Sequence, residues 1–411
     1  MMTSSLEIGV DTDAKKIEWM LTHGIEDVLP SRETLQEILL GGKRLRVYLG
    51  IDPSGPTMHM GHALMLQKLG EFQALGHECI LLFGDFTAMI GDPTDKRATR
   101  TQLTRAQVLE HLKLYKEQAG RFLRFDGENP VQITFNSKWF SKMTFAEVVE
   151  LAAHFTVQQM IERDMFEQRI AEGKPVYLHE FLYPLMQGYD SVALEVDLEV
   201  GGNDQTFNML AGRTLLREIK GKEKCVMRCR LLVDPTGKKM GKSEGNMVAL
   251  NDDPIDAYGK IMGWTDELIL PGFEILTSLS KEEIMQRSAC MKHGENPMSF
   301  KSELAERVVD WAFGMGAGAH AREAFSRVHQ QGEKPEEMPA YAMVESELPL
   351  VDVLVRCELV PSKAEARRQI EQKAVRVDDI LIEDVQAIIS LRSGLIIQKG
   401  KRHFAQIKTP S

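Results

Sequence analysis

The chain is poor in cysteine. Cys79, Cys225, Cys229, Cys290 and Cys357 are scattered along it. An odd, sparse set makes no disulfide framework and reads as the reduced thiols of a cytoplasmic protein. Cys225 and Cys229 are the one close pair; without histidines nearby they read as strand or loop packing rather than a zinc site. Runs of about 18 apolar residues are missing, so no membrane span is expected. The start lacks a basic cluster followed by an apolar stretch, so no secretory signal is expected either. Positive charge is in deficit: a net charge of −10 argues against coating nucleic acid by charge alone. Internal repeats, low-complexity tracts and carboxylates at metal-ligand spacing are also missing, so no dedicated metal site is expected.

What is present is 411 residues of ordinary globular composition, enough for two or three domains. The charge is unevenly spread. Residues 361–411 hold ten Lys/Arg against six Asp/Glu, a net of +4, which leaves −14 on residues 1–360. A basic tail on an acidic body points to an anionic partner at that end.

Residues 1–43 read as a helical segment, with apolar positions at Ile17, Met20, Leu21 and Ile25. From Leu45 the pattern alternates strand and helix. Arg46–Leu49 is an apolar approach to a turn. Cys79–Phe83 is a short apolar run bounded by Gly76 and Gly84, as a buried parallel strand should be. Val131–Phe135, Val196–Val200 and Arg230–Val233 read as further strands. Helical patterns cover Ala63–Leu75, Thr104–Phe122, Phe145–Ile170, Glu180–Ser191 and Asp204–Glu218. Such alternation implies a Rossmann-like, doubly wound parallel α/β sheet over 44–250. Residues 251–330 read as a helical domain and 331–347 as a polar, Pro-bearing linker. Residues 348–411 read as a small α+β domain of two short helices followed by alternating strands. Gly314-Met315-Gly316-Ala317-Gly318 mimics a dinucleotide loop, but no strand precedes it, so it reads as a helix break or a close helix contact.

Two short motifs carry the chemistry. His59-Met60-Gly61-His62 follows the turn Gly50-Ile51-Asp52-Pro53-Ser54-Gly55 and opens a helix. Strand, turn and helix N-terminus is where backbone N–H groups and the helix dipole favour phosphate, and two histidines three apart share a face. About 180 residues later, Lys239-Met240-Gly241-Lys242-Ser243 brings cations on a Gly-bearing loop, suited to charge on a departing pyrophosphate. A third pattern is Tyr183, Gln187 and Asp190 at i, i+4, i+7. A core face would carry aliphatic groups there. Burying these without partners would cost about 1–3 kcal/mol each, so the face points at something polar.

The two motifs resemble the HIGH and KMSKS signatures of class I aminoacyl-tRNA synthetases, departing at the middle position of the first and the third of the second. The fuller resemblance, over most of the chain, is to tyrosyl-tRNA synthetases. Tyr48-Leu49-Gly50-Ile51-Asp52-Pro53, Leu182-Tyr183-Pro184-Leu185-Met186-Gln187-Gly188-Tyr189-Asp190 and Gly201-Gly202-Asn203-Asp204-Gln205 match its segments in order. The resemblance implies activation of L-tyrosine by ATP to tyrosyl-adenylate and pyrophosphate, then transfer to the 3′ end of tRNA(Tyr). It implies that Asp190 accepts from the substrate hydroxyl, which Tyr48 also contacts. Tyr183, Gln187 and Asp92 would hold the ammonium group, with Gln205 on the carboxylate side. ATP would lie against Gly50, Asp52, His59, Gly61, His62, Gly202, Asp204, Met240 and Lys242. His59 and His62 would hold phosphates, and Lys96, Arg100, Lys239, Lys242 and Ser243 would complete the pyrophosphate clamp. Three roles stay open to Asp52: stabilising the turn, touching nucleotide, or touching the substrate amine. Magnesium would arrive on the phosphates of ATP.

Residues 348–411 resemble an S4-type RNA-binding domain through Ser362–Ile370, Ala374–Val377 and Gly400–Phe404. Ser362 and Glu365 stand at capping-box spacing, which starts a helix at Lys363. Lys363, Arg367, Arg368, Arg376, Lys401 and Arg402 are then the candidate RNA contacts. The resemblance also implies a homodimer, with Thr156–Phe166 in the contact. Other readings stay in view: an RNA-binding paralogue without catalysis, a tryptophan-specific relative, and a stand-alone nucleotidyltransferase. Intact histidines and lysines oppose the first, a phenol-directed pocket the second, and length with a second motif and tail domain the third.

Overall fold

The apolar runs of the first half become the central strands of one sheet. The structure is a computed structural model that describes residues 9–93, 103–233, 247–330, 338–400 and 403–409. Its six strands are β1 (Ile25–Leu29), β2 (Arg46–Ile51), β3 (Glu78–Phe83), β4 (Gln132–Phe135), β5 (Leu198–Gly202) and β6 (Cys225–Cys229). They lie in the order β1-β6-β5-β2-β3-β4. β2 pairs in parallel with β3 on one side and with β5 on the other. The chain therefore winds outward from β2 to β4, then returns to wind the other way through β5 and β6. The order reverses between β2 and β5, and a crevice opens beyond their carboxyl ends at such a reversal.

Helices cover the sheet. α1 (Ala14–Thr22) and α2 (Arg32–Leu40) precede α3 (Met60–Ala74). α3 buries Ala63, Leu64, Leu66, Leu69 and Phe72. The short helices α4 (Thr87–Ile90), α5 (Arg105–Leu112), α6 (Tyr115–Ala119) and α7 (Ser137–Phe140) flank β3 and β4 in sequence. α8 (Phe145–Ala152), α9 (Val157–Ile161) and α10 (Asp164–Ala171) lead to α11 (Leu178–Leu194) and α12 (Thr206–Lys220). α11 and α12 approach closely at Gly188, where a Cβ would lie 3.0 Å from the Gly212 nitrogen.

Two readings of the first half need correction. The segment 1–43 is not helical throughout. Gly24, at φ +65°, ends the first helical stretch, and β1 then pairs antiparallel with β6, Val28 opposite Met227. The last strand of the sheet is Cys225–Cys229 rather than Arg230–Val233. Val226, Met227 and Cys229 are fully buried, whereas Arg230 turns out to Glu26 and Glu274. Lys224 and Arg228 disguise this strand, because they interrupt its apolar pattern.

From Pro254 the chain is helical, as read: α13 (Pro254–Met262), α14 (Ile269–Leu276), α15 (Lys281–Lys292) and α16 (Pro297–Phe313). Gly314 and Gly316 take φ +109° and +91°, and the dinucleotide-loop mimic is a helix break. The chain divides there, between Met315 and Gly316, into two compact units.

The second unit opens with α17 (Ala317–Gln330), so the helical domain expected over 251–330 is divided at the glycine break. Its strands are β7 (Ala340–Ala342), β8 (Glu347–Pro349), β9 (Val375–Val377), β10 (Ile380–Leu381), β11 (Ile388–Ser390), β12 (Ile396–Lys399) and β13 (His403–Lys408). Five form a sheet in the order β10-β9-β12-β13-β7, and β11 pairs with β8. The linker reading of 331–347 is corrected in part, since β7 lies within it and pairs in parallel with β13. α18 (Leu350–Arg356) and α19 (Lys363–Glu371) contribute Leu350, Val353, Leu354 and Ile370 to a core shared with Val375, Ile397 and Ile407.

Candidate active site

The first motif is organised by its own imidazoles. His59 is the N-cap of α3, and its Nδ1 accepts from the Gly61 N–H at 3.1 Å. The His59 N–H donates in turn to Nδ1 of His62 at 3.2 Å. This is the reciprocal logic of a capping box, built from two histidines whose rings stand 4.0 Å apart. Because each Nδ1 accepts, each neutral ring carries its proton on Nε2. Gly61 makes room for the fold-back, since a Cβ there would lie 3.0 Å from His59 Cε1. The cap thus satisfies helix-end donors and leaves the proton of each neutral ring on Nε2.

The stretch downstream of the second motif comes back to the first. The Met60 N–H donates to the Val248 carbonyl at 3.2 Å, and Leu250 N–H to the Met58 carbonyl at 2.8 Å. His59 and Ala249 form a bridge across the same junction.

The predicted polar face of α11 is real and turned inward. Tyr183 and Asp190 are buried and Gln187 is half-buried. Asp190 accepts from Trp139 Nε1 at 2.9 Å and from Asn136 Nδ2 at 3.4 Å. Burial pushes its pKa well above the usual carboxylate range, against the pull of those two donors. Tyr48, at the middle of β2, is fully buried; its Oη lies 3.2 Å from Ser191 Oγ. Burial, and then the charges of Glu199 and Asp190, raise the Tyr48 pKa.

A second cluster gathers around Asp52. The Tyr183 hydroxyl donates to Asp52 Oδ2 at 2.9 Å, and Thr87 Oγ1 to Asp52 Oδ1 at 2.7 Å. The Asp52 carboxylate thus joins Thr87 to Tyr183. Burial raises the Asp52 pKa to about 7. Gly84 is required here: a Cβ would fall 1.9 Å from Asp52 Oδ1. Gln205 Nε2 donates to Asp92 Oδ2 at 2.7 Å. Asn208 Nδ2 donates to both Gln187 Oε1 and Gln205 Oε1 at 2.9 Å. Tyr183 and Asp52 thus form one linked set, and Gln187, Gln205, Asp92 and Asn208 another.

Glycines stand at the carboxyl ends of two central strands. Gly50 is exposed near the end of β2. Gly202 ends β5, and a Cβ there would lie 2.5 Å from Asp204 Oδ1. Cys225 and Cys229 sit in β6, where burial pushes the Cys229 thiol up to about 12. Among the described residues no group of His, Cys, Asp or Glu is arranged to hold a metal ion.

Residues 41–330 match the family model described as class I tRNA synthetases (W and Y). Residues 330–407 match the one described as the tyrosine–tRNA ligase SYY-like C-terminal domain. The tyrosine–tRNA ligase of Moorella thermoacetica is 42% identical over 395 residues, covering 95% of each chain. That of Thermotoga maritima is 42% identical over 390 residues, covering 94% of this chain and 96% of its own. This chain belongs to the tyrosine–tRNA ligase family. In fold it is similar to the tyrosyl-tRNA synthetase of Archaeoglobus fulgidus complexed with L-tyrosine. The TM-score is 0.58 at 20% identity, covering 75% of this chain and 100% of that one.

Of the site residues expected for this family, the structure brings together Asp52 with Tyr183, Asp92 with Gln205, and His59 with His62, and it sets Tyr48 against Ser191, which was not expected. Lys96, Arg100, Lys239, Met240, Lys242, Ser243, Lys401 and Arg402 lie outside the described residues. Ser362 caps α19, which starts at Lys363 as expected. The expected cationic face is partly neutralised, however. Lys363 pairs with Asp352 at 2.6 Å and Arg368 with Glu365 at 2.8 Å. Arg376 Nη1 donates to the Asp379 carbonyl at 2.7 Å. Arg367 is exposed.

Sequence reading missed Thr87, Asn136, Trp139, Ser191, Glu199, Asn208 and Lys224. One signal was available: Glu199 occupies a strand, Leu198–Gly202, that is buried at every position. A carboxylate there demands a partner.

Proposed function

We propose that the crevice activates L-tyrosine with ATP and passes the tyrosyl group to tRNA(Tyr). The observation that carries this reading is that Asp190 and Tyr48 are both buried, and the Asp190 charge reaches the Tyr48 hydroxyl. A phenol donates one hydrogen bond and accepts others, so it satisfies a carboxylate and a hydroxyl together; an indole N–H only donates. This favours tyrosine over tryptophan, which the class model also spans. In the ammonium-bound state Tyr183, Gln187 and Asp92 grip the amine, oriented by Asp52 and Asn208. The carboxylate, ionised at neutral pH, then attacks the α-phosphorus. The bond from that phosphorus to the bridging oxygen breaks, and pyrophosphate leaves with the electron pair. No side chain need remove a proton. Catalysis is positioning and charge stabilisation, supplied by the Nε2–H groups of His59 and His62 with Lys96, Arg100, Lys239 and Lys242. Magnesium travels on the phosphates of ATP.

The tRNA is held by the helices of 251–330, which fall in both units, and by the basic residues Lys363, Arg367, Arg368 and Arg376. The enzyme works in the cytoplasm as a homodimer. Phe145 and Leu178, each 83% exposed, support a covered apolar face on the α8–α11 region, whereas Met160 and Phe166 are buried within the protomer. Amino acid-dependent exchange of pyrophosphate into ATP tests the reading. Exchange is expected with tyrosine and far above that with phenylalanine or tryptophan. Exchange with none of the three would overturn it.

A further inference from the structure

A buried lysine stands behind the pocket with no part in the chemistry above. Lys224 is 1% exposed and Glu199 is 2% exposed. The Lys224 ammonium is ion-paired with Glu199 Oε2 and donates to Ser191 Oγ at 2.8 Å. It reaches them through a slot that only a glycine leaves open. A Cβ on Gly212 would lie 2.7 Å from both Lys224 Nζ and Ser191 Oγ. Ser191 Oγ is in turn 3.2 Å from Tyr48 Oη.

An ammonium only donates, so it fills an acceptor position of Ser191 and cannot receive the serine proton. That proton has two acceptors in reach. Tyr48 Oη at 3.2 Å is the nearer. Glu199 Oε2 accepts from Ser191 at 3.4 Å and also from Lys224, so that contact is longer and shared. With Ser191 donating to Tyr48, the Tyr48 proton turns away from Ser191, toward Glu199 or a substrate oxygen. A tyrosine phenol that gives its own proton to Asp190 needs a donor on its oxygen, and Tyr48 is then set to be that donor. Glu199 Oε1 meanwhile accepts from Gln187 Nε2 at 3.3 Å.

We infer that Lys224, paired with Glu199, is a positioning residue for phenol recognition: it fixes the direction of the hydrogen-bond chain Lys224 → Ser191 → Tyr48 → substrate oxygen. The inference rests on the proposed contact between Tyr48 and the substrate phenol.

The test is the ratio of kcat/KM for tyrosine to that for phenylalanine in pyrophosphate exchange, on the full chain. The two substrates share an amine and a carboxylate, so the ratio isolates the phenol end. Lys224→Met alone would leave a buried carboxylate unpaired and endanger folding. The working variants are therefore Ser191→Ala, which keeps the ion pair, and the neutral Lys224→Met/Glu199→Met, checked for folding by circular dichroism. Each is expected to lower the ratio about tenfold, the scale of one lost hydrogen bond, with KM for ATP unchanged. Combining them is expected to lower it no further, because both cut one chain. A ratio within about twofold of the unaltered enzyme in Ser191→Ala, or multiplicative losses on combination, would overturn the relay. Tyr48→Phe separates the two levels. An unchanged ratio there overturns the phenol reading itself; a lowered ratio there beside unchanged Ser191→Ala overturns only the role of Lys224.

Discussion

The rim and the floor of the crevice are built on different principles. At the rim, His59 and His62 are fixed by backbone groups within three residues of themselves. At the floor, Asp190 is held by Asn136 and Trp139, more than fifty residues away in sequence. The rim is a local device that any helix N-terminus with this motif could form. The floor exists only once β4, α7 and α11 have met. The rim thus needs little from the rest of the fold, while the floor carries buried carboxylates whose ionisation depends on that fold. Rim changes should therefore alter rate, and floor changes should alter selectivity and pH dependence.

The largest expected effect is at the rim. His62→Ala should slow adenylate formation by about 10²–10³, the scale of losing a preorganised donor at developing charge. Tyrosine binding, followed by intrinsic fluorescence, should change little. A comparable loss in tyrosine affinity would erase the distinction between rim and floor. At the floor, Asp190→Ala should lower tyrosine-over-phenylalanine selectivity by about 10–100-fold, from removal of a charged hydrogen bond. Trp139→Phe should produce a smaller loss in the same direction, since it removes one of the two donors to Asp190. Unchanged selectivity in both would place recognition elsewhere.

The smallest effect concerns Asp52, whose pKa burial raises to about 7. A carboxyl with a raised folded pKa contributes stability at low pH, and that contribution is lost as pH rises through about 7. An incoming ammonium group favours the ionised form. Tyrosine affinity should therefore tighten by up to about tenfold per pH unit below about 7 and level off above it. Titration calorimetry in buffers of different ionisation enthalpy should show release of about one proton per site near pH 6. Asp52→Asn should flatten the profile; a slope that persists would assign the proton to another group.

Much of this was legible in the chain. The i, i+4, i+7 face of Tyr183, Gln187 and Asp190 needed only helical periodicity and the rule that polar groups are not buried idly. The glycine turn before His59 identified a strand-to-helix junction, and the helix break at Gly314 was visible in its composition. β1 and β6 were less legible. Their apolar residues are interrupted by Glu26, Asp27 and Arg228, which lie along the outer strand pair of the sheet, where charge is tolerated. The partners of Asp190 carried no signal at all, because a lone asparagine or tryptophan in a connecting segment looks like any other.

By itself the sequence determined the local frames: which stretches coil, which extend, and where imidazole, carboxylate and amide groups recur at a helical period. Those follow from neighbours a few bonds apart. Only the tertiary structure decided which way burial shifts each titratable group and which donors and acceptors meet. Desolvation and hydrogen-bond direction depend on atoms that folding brings close, Lys224 against Ser191 and Trp139 against Asp190, and no spacing along the chain encodes them.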